Sequence, residues 1–145
     1  MSAEKVIAGY LRVASEDLQG AVALAKISNR NAIYLCSQAA EKVIRAVLTS
    51  EGEHAGTGHQ LDLMVDSIPE ENPIKPRLRA IQGLAVYATS FRYPTVAGRI
   101  KTPPDQQEFQ RYADAVEVVL NEALTCFGVD LSKPNQPARH ATPIR

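Results

Sequence analysis

Between Asn72 and Pro104 the chain carries Lys75, Arg77, Arg79, Arg92, Arg99 and Lys101 and no acidic residue. In a protein of 145 residues with a formal net charge of +0, that is a concentrated positive segment, and any attraction for a polyanion must come from such a local patch. Arginine forks match phosphate oxygens, and Tyr93 beside Arg92 offers a ring on which a base can stack. The chemistry indicated is recognition of a nucleotide phosphate or an RNA backbone, with Arg92, Arg99 and Lys101 converging near one end of the fold. The plainer alternative is a solvated face that meets an acidic subunit surface.

Other residues suggest less. His59 follows Gly58 at the start of an expected short helix, where an imidazole caps the helix or holds a loop. His54 and His59 have no cysteine or helix-spaced third ligand, so neither a metal site nor a cofactor is expected. Gly56-Thr57-Gly58 lacks both the preceding strand and the lysine of a phosphate-binding loop. No serine or cysteine nucleophile stands out, and no carboxylates are paired for acid–base work. Cys36 and Cys126 both fall at apolar helical positions and read as small core residues rather than a disulfide. With 45% hydrophobic residues, balanced charge, no apolar run near the ~20 residues of a membrane span and no signal-peptide core, a soluble cytoplasmic protein is expected.

The elements that must position these groups are helical. Ile7, Tyr10, Leu11, Ala14, Leu18, Ala21 and Ala25 trace one stripe over residues 3–27. Ser28 and Asn29 make a turn, and a second helix runs over residues 30–50 with Cys36, Ala39, Ala40, Val43, Ile44 and Val47 inward. Its outer face holds Gln38, Glu41, Lys42 and Arg45, with Glu41 four residues before Arg45 in the favourable ion-pair orientation. A loop over 51–58 precedes a short helix, 59–68, ended by Pro69. Leu78, Ile81, Leu84, Ala85, Ala88 and Phe91 predict a fourth helix from Pro76 to Tyr93, where Pro94 disfavours helix in the residue before it. After a loop, Phe109, Tyr112, Ala113, Val116, Leu120, Ala123, Leu124 and Phe127 mark a last long helix stopped by Gly128. The expected fold is all-α, an up-and-down bundle of four long helices plus one short helix. It occupies residues 1–128, with 129–145 an extended, proline-containing tail that is poorly packed on composition.

Four short pieces taken together resemble the HEPN domains, named for higher eukaryotes, prokaryotes and a nucleotide-binding role. They are Glu16-Asp17-Leu18, Ser37-Gln38-Ala39-Ala40-Glu41-Lys42, His59-Gln60-Leu61 and Arg92-Tyr93-Pro94, in that order across residues 3–127. The resemblance implies a helical bundle that forms homodimers, often acting with a small nucleotidyltransferase as a toxin–antitoxin pair. In ribonuclease members an arginine late in the bundle is followed four to six residues on by a histidine, and two such motifs meet across the dimer to cleave RNA without metal. Arg92 matches that arginine. The histidine is absent: residues 95–98 contain none and Arg99 follows. Tyrosine and arginine do not readily exchange protons near neutral pH, whereas histidine does.

The expectation is therefore a homodimeric binding module rather than an enzyme, binding a nucleotide or RNA phosphate through Arg92, Tyr93, Lys42, Arg45, Arg99 and Lys101. Glu41, His59 and Glu16 would organise that site, Glu41 by orienting Arg92. A divergent endonuclease using His59 or Tyr93, and a structural scaffold with Arg92 in a buried ion pair with Glu41 or Glu16, are the alternatives.

Overall fold

The computed structural model describes residues 2–54, 56 and 58–145, and among them the chain is all helical with no strand. Five α-helices follow in order: α1 (Ala3–Lys26), α2 (Asn31–Ser50), α3 (Leu61–Asp66), α4 (Lys75–Ile81) and α5 (Gln106–Phe127). Ser2 caps α1 by accepting the Lys5 amide, and Asp105 caps α5 by accepting the Glu108 amide at 2.8 Å. Gly128 ends α5 in the left-handed conformation with φ +64, a backbone state that glycine adopts without steric cost.

α2 is the centre of the bundle, touching every other helix. Ala39, Ala40, Val43, Ile44, Ala46 and Val47 are fully buried on it, and its small residues let α1 pack closely alongside. The Asp17–Lys42 ion pair and the contact of Gly20 with Leu35 run in opposite senses along the two chains, so α1 and α2 are antiparallel neighbours. Leu11 and Ile7 from α1, Leu61 and Val65 from α3, Leu78 and Ile81 from α4, and Phe109, Val116, Leu120 and Phe127 from α5 pack into the same core.

The fourth helix departs from its expected length. Regular α-helix ends at Ile81, and the chain continues as 3-10 helix over Gln82–Tyr87 and again over Ser90–Arg92. Gly83 is a weak helix former, and a Cβ there would stand 3.1 Å from the Tyr112 hydroxyl, so the bare backbone lets α5 come close. Thr89, at φ -124 and ψ -87, separates the two 3-10 segments, and Tyr93 is extended before Pro94. Arg92 thus sits on a short turn instead of the end of a long helix.

The segment after Gly128 contains no helix but is packed, contrary to the loose tail that composition suggested. The Ala138 amide donates to the Glu4 carbonyl, and the Arg139 and His140 amides donate to Gly128 and Phe127. Arg12 donates to the carbonyls of Asp130 and Lys133, while Ala138 and Ile144 are buried. At its end Arg145 grips Glu51 through two bonds of 2.8 and 3.1 Å. An added Cβ on Gly128 would lie 2.8 Å from the Arg139 side chain, which shows how closely the segment returns. The cysteines also divide. Cys36 is buried, with its thiol pushed up to about 12 by desolvation, whereas Cys126 is exposed and is no core residue; neither forms a disulfide.

Candidate functional site

One stripe of α2 and the residue just before it, Arg30, Tyr34, Glu41 and Arg45, recurs at helical spacing, and two clusters form along it. With a rise of ~1.5 Å per residue, Tyr34 and Glu41 are separated by about 10 Å along the axis.

At the Glu41 end the charges are matched. The Glu41 side chain is 9% exposed and accepts from Arg45 Nε at 3.0 Å on one oxygen and from His59 Nδ1 at 2.7 Å on the other. The remaining Arg45 nitrogens donate to the carbonyls of Gly56 and Gly58, both at 2.8 Å. The guanidinium therefore ties down the loop that leads directly into His59. An ionised carboxylate only accepts hydrogen bonds, so Nδ1 is the ring nitrogen that donates to Glu41, and Nε2 is left without that contact. Gly58, His59, Gln60 and Asp62 face Ala85, Val86 and Thr89 across a shallow groove. Lys42 lies on the α1 side and is paired with Asp17 at 2.6 Å.

At the Arg30 end the cations have no carboxylate partner among the described residues. Arg92 lies with its guanidinium carbon 4.3 Å from the centre of the Tyr34 ring and 5.4 Å from that of Tyr93. Arg30, one helical turn before Tyr34, stacks on Phe91 at 4.3 Å and donates to the carbonyls of Phe91 and Lys101. Lys101 Nζ donates to Ser90 Oγ at 2.6 Å, which brings it onto the same turn as Arg92. Two arginines against three rings and one lysine thus gather around Ser90–Arg92, with Arg92, Tyr93 and Lys101 open to solvent.

Of the residues read from sequence as one site, Arg92, Tyr93 and Lys101 are together. Lys42 and Arg45 are occupied by Asp17 and Glu41, and Glu41 bonds Arg45 and His59 without reaching Arg92. The buried ion pair between Arg92 and Glu41 or Glu16 does not form: Arg92 is exposed, as is Glu16 on α1. Arg99 is exposed on a tight turn closed by the Thr95 amide on the Arg99 carbonyl and the Arg99 amide on Thr95 Oγ1, and its guanidinium has no hydrogen-bond partner among the described residues. Arg30 is a member that sequence reasoning missed; its position one turn before a tyrosine at a helix start was the available signal. Thr57 of the Gly56-Thr57-Gly58 stretch lies outside the described residues. Among the described residues, no three His, Cys, Asp or Glu side chains cluster as a metal site would require, and no helix is long and apolar enough to cross a membrane.

No curated protein and no solved structure matches this chain. The sequence model of the HEPN domain matches residues 7–126, which takes in all five helices almost entirely and both clusters on α2, so the chain belongs to the HEPN domain family.

Proposed function

We propose that this chain is a binding module for a nucleotide or RNA phosphate, with the anion held by Arg92, Lys101 and Arg30. The observation that carries this reading is Arg92, an exposed guanidinium laid on Tyr34 with no carboxylate partner among the described residues. A flat cation held on an aromatic face keeps its N–H edge available for phosphate oxygens, and the neighbouring Lys101 adds a second charge. Tyr93 is 62% exposed beside it and supplies a surface for a base. In keeping with family membership, the module acts in the cytoplasm as a homodimer, paired with a minimal nucleotidyltransferase in a toxin–antitoxin-like system. Calorimetry with ATP, GTP and a short single-stranded RNA at low and moderate salt tests the binding. Heat that weakens with salt and falls about tenfold in affinity in Arg92→Ala is expected; no heat at either salt refutes it.

A second reading, a divergent metal-independent RNA endonuclease, draws on the Glu41–His59 pair. A buried carboxylate that fixes one nitrogen of an exposed imidazole leaves the other poised to take a proton. Labelled RNA incubated with chelator decides it: cleavage lost in both His59→Ala and Arg92→Ala establishes the enzyme, and intact RNA removes it.

A further inference from the structure

Beside Arg30, the turn between α1 and α2 and the start of α5 border a half-open cavity of about 350 Å³. That volume falls within the ~300–1,000 Å³ of small-molecule sites. Ala32, Ile33 and Phe109 supply apolar walls, and Pro103 and Pro104 form a rigid rim. Ser28, Asn29, Arg30, Asp105 and Gln106 supply its polar side. Asp105 uses Oδ1 to cap the Glu108 amide, which leaves Oδ2 without a partner among the described residues. Gln106 donates its Nε2 to the Ala25 carbonyl at 3.2 Å, which leaves its Oε1 as an acceptor. The cavity thus pairs apolar walls with two acceptors left free, Asp105 Oδ2 and Gln106 Oε1, beside the side chains of Ser28 and Asn29.

Its position links it to the cation cluster. Arg30 lines the cavity and also donates to the Lys101 carbonyl at 2.7 Å, and Pro103 follows Lys101 by two residues. A ligand with an uncharged ring in the cavity and an anionic tail leading outward meets Lys101 and then Arg92. We infer that this cavity is the base subsite of the phosphate site, and that it takes the amino-bearing ring of a purine nucleotide. The inference rests on the phosphate reading above and adds to it a place for the base. Purines bring the needed complement: adenine donates from its exocyclic amino group and guanine from its amino group and a ring N–H to carboxylate and amide oxygens, and the ring faces fill an apolar slot. A pyrimidine leaves more of the slot unfilled, and uracil has no amino group to offer.

The test compares ATP, GTP, UTP and inorganic tripolyphosphate on the full chain by calorimetry, in wild type and in Asp105→Asn. Asparagine is as good a helix cap as aspartate, so α5 is preserved. Wild type is expected to bind ATP or GTP at least about tenfold more tightly than UTP or tripolyphosphate, since one good base contact is worth that much. In Asp105→Asn this purine advantage should collapse, while tripolyphosphate binds as well or better because a nearby negative charge has gone. An unchanged ratio of purine nucleotide to tripolyphosphate in the variant overturns the base subsite and leaves the phosphate site standing. If tripolyphosphate fails to bind wild type, the phosphate reading falls. The cavity is then judged by adenosine and guanosine at millimolar concentration: perturbed Ala25 and Ala32 methyl signals keep a base pocket, and unperturbed signals end it.

Discussion

At the Glu41 end of the α2 stripe each charge meets its opposite, and the partners fix one another: Glu41 holds Arg45 and His59, and Arg45 holds the backbone of Gly56 and Gly58. At the Arg30 end, Arg30, Arg92 and Lys101 are supported by rings, a hydroxyl and backbone carbonyls, none of which cancels a charge. Both ends contain arginines of one helix stripe or its neighbour, yet they contribute differently. A matched, half-buried cluster stabilises the fold and orients an imidazole. An unmatched, exposed one leaves a positive potential that something outside the chain can answer.

The largest effect that separates them is on stability. Glu41→Ala leaves the half-buried Arg45 charge without its carboxylate and frees the loop before His59. Removing one partner of a buried pair costs about 3 kcal/mol, so a clear drop in the denaturant midpoint is expected, with no change in the anion affinity of the other end. A variant as stable as wild type would mean that the matched cluster is ornamental to the fold.

Next in size is the converse experiment. Arg92→Ala should leave unfolding within about 1 kcal/mol of wild type, because the side chain is exposed, makes no ion pair among the described residues and gives up only its stacking on the rings. It should weaken tripolyphosphate or nucleotide binding about tenfold, the worth of one charge-assisted bond to phosphate. Loss of stability rivalling that of Glu41→Ala would erase the distinction between the two ends.

The matched cluster and the unmatched one were not equally legible beforehand. The stripes of α1, α2 and α5 are long and regular, so periodicity alone located them, and the Glu41–Arg45 spacing announced an ion pair. The Arg45 bonds to Gly56 and Gly58 end on backbone carbonyls, which carry no residue-type signal. Arg30 and Arg92 owe their positions to Phe91 and Tyr34, and the turn bearing Phe91 exists only because the chain leaves the α-conformation after Ile81. Gly83 lies at that change, close to the Tyr112 hydroxyl of α5, and the helical spacing of Leu84, Ala88 and Phe91 gives no sign of it. The terminal segment misled for a related reason. Its prolines and polar residues dominate the composition, while a few apolar groups, Ala138 and Ile144 among them, do the packing.

A third effect extends the contrast to that segment. Glu51 has its carboxyl held below the usual range, chiefly by the hydrogen bonds from Arg145, with Asn72 adding to this and burial opposing it. A carboxyl lowered in the folded state contributes stability that is complete above the unfolded value, about pH 4.3, and is lost as pH falls through the lowered one. The Ile144 methyl signal should therefore shift toward its unfolded position in acid below about pH 4, while the Tyr34 ring signals stay in place because no carboxylate supports them. An Ile144 signal that moves near neutral pH would show that another group holds the segment.

The smallest effect concerns the ring beneath Arg92. Tyr34→Leu keeps most of the apolar volume and removes the aromatic face, a contact worth about 0.5–1 kcal/mol at an exposed site. If Tyr34 serves only to hold the guanidinium in place, anion affinity should fall about two- to fivefold, less than in Arg92→Ala, and equally for tripolyphosphate and for nucleotides. A loss confined to nucleotides would mean that the ring touches the base itself, moving the base from the cavity beside Arg30 to the open face of α2. An affinity unchanged for every ligand would mean that Arg92 is positioned by the Ser90–Arg92 turn alone, and that the stacking in the free protein plays no part in binding.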